Sequence, residues 1–411
     1  MARTHTIVGL DIGTTKIGAI IAEVDSDGQL NVVGVGKSPS HGLRRGVVVN
    51  LEKTVQSITT AVEEAELMAG VEVHSVYAGI AGDHIRSINS RGVIAVSRQD
   101  NEITKTDIVR VIDAAKAVAI PMDREIIHVL PQEFIVDDQG GITDPVGMSG
   151  VRLEAEVHIV TGAVTSAQNI YKAVRRAGLE VSDIVLEPLA SSYAVLDDDE
   201  KELGVALLDI GGGTADVAIF HGGSIRHTAV IGLGGDNVTQ DISVGLRTPL
   251  ARAEELKKQH GCALKDLVDE SEMIMVPGVG GREPREVPRL YLADIIEARM
   301  EEIFHLTLRE IRKTDYADLL NAGLVITGGA STIEGAPELA EQVFHCPVKR
   351  GIPRGVGGLS ESVSEPMYAT GVGLVLYGRQ FQNELSLIGG VSDERVFEKI
   401  LNRMKKWMDF F

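Results

Sequence analysis

The tetrapeptide Leu-Asp-Ile-Gly occurs twice in the chain, at residues 10–13 and again at residues 208–211. Each copy opens a longer stretch, LDIGTTKIGAII at 10–21 and LDIGGGTADVAIF at 208–220. In both stretches alternating apolar residues lead into a turn rich in Gly and Thr and leave it again, which predicts strand, tight turn and strand. Two such units about 200 residues apart predict two related halves, each presenting a backbone turn and one carboxylate to a ligand between them.

The chemistry of the two turns favours an anion together with a metal ion. Glycine lets a ligand approach the backbone, and consecutive N–H groups in such turns form anion-binding concavities. The residues that supply these amides, hydroxyls and one positive charge are Gly13, Thr14, Thr15, Lys16, Gly211, Gly212, Gly213 and Thr214. Asp11 and Asp209 would repel a phosphate unless a cation lies between, so we expect Mg²⁺ held mainly through water. Glycine turns also connect ordinary hairpins, and only the pair favours a phosphate site.

Length and composition restrict the class of protein. At 411 residues, with 44% hydrophobic and 24% charged residues, the chain is typical of a soluble globular protein with two or more domains. Its net charge of −19 argues against nucleic acid as a partner. Cys262 and Cys346 are too few for a disulfide framework or a zinc site, which fits a reducing cytoplasm. We expect neither a signal peptide nor a membrane-spanning segment, because no long apolar run is present.

Further elements are predicted from periodicity and from helix-end residues. Residues 51–69 have the spacing of an amphipathic helix, and residues 84–158 are predicted to form an inserted small α+β unit. Thr248 is predicted to cap a helix that ends at Gly261. The segment 275–290 is predicted to be a loop because it is rich in Gly and Pro.

Small residues mark two segments in which helices could cross closely. The segment 182–196, SDIVLEPLASSYAVL, begins a predicted helix at Glu187, and PMYATGVGLVLYG at 366–378 has a similar pattern. We expect these helices to form a hinge between the halves, although ordinary tight packing would give the same pattern. Residues 324–331 are predicted to be a buried strand followed by a glycine turn, which admits a flat ring against the backbone.

Taken in order, the motifs LDIGTTK, LEPLASSY, LDIGGGT, AEELKKQHG, VITGGAS and MYATGVGL resemble those of the actin-like ATPase superfamily. That superfamily includes actins, DnaK-type chaperones and sugar kinases, and the resemblance extends over nearly the whole chain. It implies an α/β fold with two duplicated domains and with ATP and Mg²⁺ in the cleft between them.

The resemblance also implies roles for individual residues. Residues 13–16 are similar to the first phosphate loop and residues 211–214 to the second. The positions similar to those that contact ribose, adenine and the rest of the adenosine are Gly235, Glu254, Lys257, Gly328, Gly329 and Ala330. The acidic residues that would act, through water, on the metal ion or on the attacking water are Asp11, Glu187 and Asp209.

The final segment, RVFEKILNRMKKWMDFF at 395–411, is predicted to form an amphipathic helix. Its apolar face would consist of Phe397, Ile400, Leu401, Met404, Trp407, Met408 and Phe411. Its charged face would include Lys399, Arg403, Lys405 and Lys406. With five basic and two acidic residues, the segment carries +3 in an otherwise acidic chain. A helix of about 25 Å is too short to span a bilayer and suits the surface of an anionic membrane. Docking on the protein body is the alternative.

The inserted unit and the basic tail narrow the resemblance to an actin-like family of bacterial cell division. The amino-acid sequences of residues 79–96 and 183–196 strengthen this resemblance. The family resemblance implies that 84–158 is a subdomain 1C used in filament contacts and in contacts with later division proteins. It implies that 237–300 is a subdomain 2B, which docks the C-terminal peptide of the tubulin-like protein FtsZ. It further implies a filament on anionic lipid, at the cytoplasmic face of the inner membrane and at the division septum.

The predicted division of the chain follows the same resemblance. It comprises subdomain 1A at 1–83, 159–197 and 360–378, subdomain 1C at 84–158, subdomain 2A at 198–236 and 301–359, subdomain 2B at 237–300, a linker at 379–394 and a membrane-targeting amphipathic helix at 395–411.

Three other functions within the superfamily stay open at this point. A small-molecule kinase would need an acceptor site, no segment for which is apparent, and would leave the basic tail unexplained. A pilus-assembly adaptor of the PilM type shares the insertion and is expected to lack the lipid-binding tail. A DnaK-type chaperone would need a further substrate-binding domain. In the cell-division interpretation the nucleotide acts mainly as a conformational ligand, so we expect a weak or slow ATPase at most.

Overall fold

The structure of the chain, a computed structural model, describes residues 5–97 and 100–389. The longer strands are β1 (His5–Ile12), β2 (Lys16–Val24), β3 (Leu30–Pro39), β6 (Ser75–Ile80), β7 (Arg86–Ala95), β8 (Arg124–Val136), β10 (Arg152–Ala163), β11 (Glu180–Leu186), β12 (Val205–Ile210), β13 (Ala215–His221) and β14 (Ser224–Ile231). The shorter strands are β4 (Leu43–Arg44), β5 (Val47–Val48), β9 (Gln139–Ile142), β15 (Met273–Val276), β16 (Arg285–Pro288), β17 (Leu324–Thr327), β18 (Val348–Arg350) and β19 (Gly357–Gly358). The helices are α1 (Leu51–Ala69), α2 (Lys105–Ala115), α3 (Val164–Arg176), α4 (Glu187–Val195), α5 (Asp198–Leu203), α6 (Gly235–Leu246), α7 (Leu250–His260), α8 (Arg289–Ile311), α9 (Ala336–Phe344) and α10 (Ala369–Gly389).

Two large sheets share one topology. In the first half, β1 pairs antiparallel with β2 and β2 with β3, while β6 and β11 add on the other side of β1 in parallel. In the second half, β12, β13 and β14 form the same antiparallel series, and β17 and β18 add in parallel on the other side of β12. The two Leu-Asp-Ile-Gly copies therefore occupy equivalent positions, where each central strand enters its hairpin. The predicted duplicated α/β fold is confirmed.

The central strand β12 contributes to two hydrophobic cores because its side chains alternate between the faces of the sheet. Leu208 and Ile210 belong to the core of the second half, which α6 to α9 cover. Val205 and Leu207 point the other way and join the core of the first half. Helix α4 contacts both β12 and β13 and thus lies between the sheets. The halves share a continuous apolar contact beneath the turns.

The two helices with small residues, α4 and α10, pack directly on each other. A Cβ atom added at Gly373 would lie 1.9 Å from the carbonyl oxygen of Ala190, so only glycine allows this crossing distance. The predicted close crossing of the two helices is therefore present.

The inserted unit consists of β7 to β10 and α2 and has its own small core. Its sheet has the order β7-β10-β8-β9, and β10 pairs with β7 from Arg152 to Thr161 and with β8 as far as Ala163. The predicted boundary at 158 falls inside β10, because this strand continues without interruption from the inserted unit to the first residue of α3.

Two local expectations differ from the structure. The segment 275–290 is not a loop throughout, since β15 and β16 form a hairpin that pairs Met273 with Pro288 and Val276 with Arg285. Thr248 does not cap α7, which begins at Leu250 directly after Pro249. The Thr248 side chain is 1% exposed and lies inside the protein rather than at the helix end.

The predicted linker at 379–394 is wrong over the part that the structure describes. Helix α10 continues to Gly389 because residues 379–388 contain neither Gly nor Pro to end it. Phe381 also meets Tyr77 of β6 edge-on, with ring centroids 6.5 Å apart, and so packs this part of the helix onto the first half. Residues 390–394 and the predicted tail at 395–411 lie outside the described residues. Within 5–97 and 100–389, no helix has the length and apolar character needed to cross a membrane.

Candidate functional site

The turn after β1 and the turn after β12 have the same hydrogen bonding. The Gly13 N–H donates to the Lys16 carbonyl at 3.0 Å, and the Gly211 N–H donates to the Thr214 carbonyl at 2.9 Å. Both turns connect antiparallel strands through residues of small size or with hydroxyl groups. The equivalence that the repeated tetrapeptide predicts therefore extends to individual backbone bonds.

The two turns touch each other across the boundary between the halves. A Cβ atom added at Gly212 would lie 2.4 Å from Cγ2 of Thr15, and one added at Gly213 would lie 2.6 Å from Oγ1 of Thr14. Oγ1 of Thr14 also accepts a hydrogen bond of 3.0 Å from the Gly46 amide, which ties the short β4–β5 hairpin to the first turn. The glycines of the second turn are needed because the threonines of the first occupy the space that side chains would fill.

A cavity of about 110 Å³ lies between the turns and is lined by both halves. Among the predicted residues, those that line it are Asp11, Gly13, Thr14, Thr15, Lys16, Glu187, Asp209, Gly211, Gly212, Gly213, Thr214, Gly328 and Gly329. The charged lining, completed by Asp216, consists of four carboxyl groups and one ammonium group. The structure thus brings sequence-distant residues into one acidic, glycine-lined site.

Asp209, at the end of β12, is held by residues from the first half. Its Oδ2 accepts a hydrogen bond of 2.7 Å from Ser191 Oγ of α4 and one of 3.3 Å from Thr370 Oγ1 of α10. Its Oδ1 lies 2.3 Å from where a Cβ of Gly328 would be, and Gly328 also has a positive φ of 82°. Any larger residue at 328 would displace the carboxylate, so this glycine is required by two independent constraints.

The carboxyl groups of the cavity are difficult to ionise together. Burial raises the pKa of Asp209 to about 6 and, with the Asp209 charge nearby, that of Asp216 to about 7. The pKa of Glu187 is raised well above its usual range, first by burial and then by Asp11, Asp216 and Asp209. One oxygen of Asp216, Oδ1, is buried without a hydrogen-bond partner. The site therefore has an excess of negative charge that it does not neutralise itself.

Lys16 supplies the positive charge at the edge of this cluster. Its Nζ atom donates a hydrogen bond of 2.6 Å to the Met367 carbonyl and lies 3.3 Å from Oδ2 of Asp11. It also lies 4.6 Å from the centroid of the Tyr368 ring, within the range of a cation–π contact. Lys16 thus connects the first turn to the segment that leads into α10.

A second group of predicted residues meets at the start of α6. The Lys257 ammonium donates to the Gly235 carbonyl at 3.0 Å and pairs with Glu254 Oε2 at 2.6 Å. A Cβ atom added at Gly235 would lie 3.4 Å from the Cβ of Ala330, and the Gly235 amide donates to the Gly211 carbonyl at 2.9 Å. These residues form a patch beside the second turn, next to the cavity rather than in its lining.

Three side chains of the site were not identified from the sequence. Asp216 lies in the strand that follows the second turn. As the one charged residue in the apolar run ADVAIF, it could have been predicted to be a buried carboxylate. Ser191 and Thr370 were assigned only to the small-residue helices, since nothing local indicates that their hydroxyl groups reach a carboxylate in the other half.

The donor set fits a hard divalent cation bound mainly through water. Carboxylate oxygens are the ligands that Mg²⁺ prefers, and it usually keeps several water ligands. The pKa values of Glu187, Asp209 and Asp216 are raised, and one oxygen of Asp216 has no hydrogen-bond partner, so the cavity is a suitable environment for such an ion. In the described part of the chain, no three acidic, histidine or cysteine side chains converge closely enough to ligate a metal directly.

Comparisons with known proteins identify the family. A family model described as cell division protein FtsA matches residues 206–373, and a model described as the SHS2 domain inserted in FtsA matches residues 82–161. The latter range covers most of the inserted sheet.

Relatives with high identity extend over nearly the whole chain. Cell division protein FtsA of Pseudomonas aeruginosa is 55% identical, covering 98% of this chain and 97% of the relative. FtsA of Neisseria meningitidis is 47% identical, covering 97% of each, and FtsA of Escherichia coli is 44% identical, covering 91% and 90%.

Solved structures with low identity have a similar fold. The PilM–PilN type IV pilus biogenesis complex superposes with a TM-score of 0.65 at 17% identity, covering 91% of this chain and 98% of that one. MreB5 of Spiroplasma citri bound to ADP superposes with a TM-score of 0.59 at 15% identity, covering 93% and 99%. The fold is therefore actin-like, and the chain belongs to the FtsA family of bacterial cell-division proteins.

Proposed function

We propose that the chain is an ATP-binding cell-division protein that polymerises on the cytoplasmic face of the inner membrane at the septum. There it anchors FtsZ filaments and helps to recruit later division proteins. The observation that carries this proposal is the pair of equivalent glycine turns, one from each half, that enclose a single acidic cavity in a chain of the FtsA family. A ligand held by both turns stabilises one relative placement of the halves.

In this proposal, ATP lies between the turns with its phosphates on their amides and hydroxyl groups. Mg²⁺ is held through water by Asp11 and Asp209 and offsets the charge of the phosphates and carboxylates. The adenosine is held by the patch at the start of α6, with Lys257 and Glu254, and by the turn of Gly328, Gly329 and Ala330. Support comes from MreB5, which has the same fold and was solved with ADP and with AMPPNP.

The nucleotide is proposed to act as a latch between the halves rather than as the substrate of rapid turnover. Glu187 begins α4 and is the candidate for orienting or activating a water molecule. Its pKa is raised well above its usual range by burial and by the neighbouring acids, and a cation in the cavity would lower it. In this proposal ATP acts mainly by clamping the halves together, so we expect a slow ATPase at most.

The assignment of surfaces rests on the family and on exposed side chains. We assign residues 84–158 to subdomain 1C and 237–300 to subdomain 2B. In the latter range Met273, Met275 and Tyr291 are each about half exposed, at 48%, 54% and 48%, and offer apolar contacts for the C-terminal FtsZ peptide. The sequence of 395–411 supplies the weak membrane contact, which polymerisation multiplies through avidity.

Electron microscopy of the full chain on an anionic lipid monolayer tests the proposal. We expect filaments with ATP and Mg²⁺, recruitment of added FtsZ, and loss of both when 395–411 are deleted. Trp407→Glu should have the same effect because it places a charge on the apolar face, whereas Phe410→Glu, off that face, should not. Undiminished lipid binding by the deletion variant would remove the membrane role. Rapid phosphorylation of a small acceptor would favour a kinase instead.

A further inference from the structure

One strand of the inserted unit, β8, contacts both halves of the protein. Two buried side chains four positions apart make these contacts: His128 is 8% exposed and Gln132 is 5% exposed. His128 faces the first half and Gln132 faces the second. A strand that belongs to neither large sheet thus makes specific polar contacts with each.

His128 contacts the backbone immediately before the acidic cavity. Its Nε2 atom accepts a hydrogen bond of 3.0 Å from the Leu186 amide, and the next residue is Glu187, whose side chain lines the cavity. On its other side the imidazole ring meets Tyr377 of α10 edge-on, with centroids 6.4 Å apart. Because the Leu186 amide donates, Nε2 carries no proton in this arrangement. His128 therefore fixes the junction of β11 and α4.

Gln132 contacts β14, the outer strand of the second sheet. Its Nε2 group donates to the carbonyls of Ile225 at 2.9 Å and Arg226 at 3.3 Å, and its backbone carbonyl accepts from Ser224 Oγ at 3.1 Å. These bonds satisfy backbone groups on the edge of β14 that has no strand partner in its sheet. Side chains of the inserted unit thus form hydrogen bonds to β14 at the edge where a neighbouring strand would otherwise pair.

A buried histidine from a third strand reinforces this contact. Nε2 of His158 in β10 lies 3.0 Å from Oγ1 of Thr228 in β14, and its Nδ1 lies 2.7 Å from Oδ1 of Asn89 in β7. The Asn89 amide in turn donates to the Arg226 carbonyl at 3.3 Å. Three strands of the inserted unit therefore hold β14 at consecutive positions.

Strand β14 leads directly to the second turn of the cavity. Three residues separate the end of β14 from α6, at whose start the Gly235 and Asp236 amides donate to the carbonyls of Gly211 and Gly212 at 2.9 and 2.8 Å. A displacement of β14 is therefore passed to the second turn, just as a displacement of Leu186 is passed to Glu187.

We propose that the inserted unit is a cross-tie between the halves, with His128 and Gln132 as positioning residues of the cavity. His128 sets the position of Glu187, and Gln132 sets the position of the strand that leads to the second turn. Opening of the cavity then requires the inserted unit to release one half. Since such coupling is reciprocal, a protein that binds the inserted unit changes nucleotide affinity, and nucleotide changes the affinity for that protein. The second consequence rests on the proposed function.

Hydrogen–deuterium exchange of the full chain without nucleotide tests the cross-tie. Gln132→Met keeps the side-chain length but removes the donor to the Ile225 carbonyl, while Asn89 still donates to the Arg226 carbonyl. We expect exchange at residues 211–214 to accelerate at least fivefold. Glu133→Gln is the matched control. Glu133 is the next residue of β8 and accepts a hydrogen bond from the Gly141 amide inside the inserted unit, so exchange at residues 211–214 in this variant should equal that of the parent. Faster exchange confined to β8 and β14 would overturn the proposal.

The histidine is tested by a pair of variants. His128→Leu should accelerate exchange at Leu186 and lower ATP affinity, whereas His128→Gln, which keeps an acceptor, should restore both towards the parent. Equal effects of Leu and Gln would show a role in packing alone. Absence of ATP binding by the unmodified chain would refute the proposed function, while the exchange at 211–214 would still decide the cross-tie.

Discussion

Ser191 Oγ donates a hydrogen bond of 2.7 Å to Asp209 Oδ2, and this bond joins helix α4 of the first half to the central strand of the second. Both side chains are buried, at 0% and 8% exposure. Thr370 of α10 approaches the same oxygen and lies 3.1 Å from Ser191 Oγ. The carboxylate proposed to hold the metal ion is therefore positioned by both helices of the predicted hinge, so its geometry depends on how the halves are placed.

Loss of the Ser191 hydroxyl should weaken nucleotide binding. We expect Ser191→Ala to lower the affinity for ATP·Mg²⁺ by about tenfold, because a hydrogen bond to a charged group contributes roughly 1.5–3 kcal/mol. Isothermal titration calorimetry measures the change. Ser192→Ala is the control, since Ser192 is equally buried but donates to Leu189 within its own helix. The same loss of affinity in both variants would contradict the assignment.

Two neighbouring lysines distinguish the adenosine patch from a surface ion pair. Lys257 and Lys258 both pair with Glu254, but the Lys258 side chain is 70% exposed and Lys257 is 10% exposed. We expect Lys257→Ala to lower ATP affinity about tenfold, since it also removes the bond to the Gly235 carbonyl. Lys258→Ala should stay within about twofold of the parent because an exposed pair contributes little. Titration of a fluorescent ATP analogue gives both values, and matching losses would place the nucleotide elsewhere.

The close crossing of α4 and α10 predicts that a methyl group added at position 373 lowers the stability of the protein. Gly373→Ala would place Cβ 1.9 Å from the Ala190 carbonyl oxygen, so one helix must move. We expect the free energy of unfolding to fall by about 2–3 kcal/mol despite the better helix propensity of Ala. Gly371→Ala meets only the end of the Ile20 side chain, at 2.8 Å, and should cost less. Urea denaturation compares them, and an unchanged midpoint for Gly373→Ala would show that the helices are not in this contact.

Asp216 should make stability depend on pH. Its folded pKa of about 7 lies above the ordinary value of 3.8 because the carboxyl group is buried near Asp209. The folded state thus holds this proton more tightly, so the contribution of Asp216 to the free energy of unfolding is greatest below about pH 4 and falls as pH rises to 7. Asp216→Asn removes this loss and should stabilise the nucleotide-free protein by about 2 kcal/mol at pH 8 in EDTA. Denaturation curves from pH 5 to 8 test it, and parallel curves for parent and variant would contradict it.

The parts of the site that the sequence predicted are those that depend on local backbone chemistry. The turns at Gly13 and Gly211 could be predicted because a strand, a glycine turn and a second strand are contiguous in the chain. The turn at Gly328 could likewise be predicted from its strand and glycines, but its contact with Asp209 could not. Lys257 could be assigned only through resemblance, since its contact with Gly235 joins separate segments.

Contacts over long sequence separations could not be predicted from single residues. Thr370 and Asp209 are 161 positions apart, and their hydroxyl–carboxylate contact exists only because α10 returns to the first half. The segment from 379 onward is predicted to be a linker, whereas helix α10 continues to Gly389 and Phe381 packs on Tyr77 of β6. In both cases tertiary packing decides the outcome, and local composition does not report it.

Helix α10 runs without a break from Ala369 to Gly389, a length of about 30 Å. Its first turn carries Thr370, which contacts Asp209, and its far end leads towards the segment proposed to bind lipid. A stiff rod of this kind transmits force. In the proposed function, tension between the membrane and a bent filament would reach the carboxylate that holds the metal ion. Membrane curvature at a constricting septum would then change nucleotide occupancy, so that nucleotide binding would respond to mechanical tension on the membrane anchor.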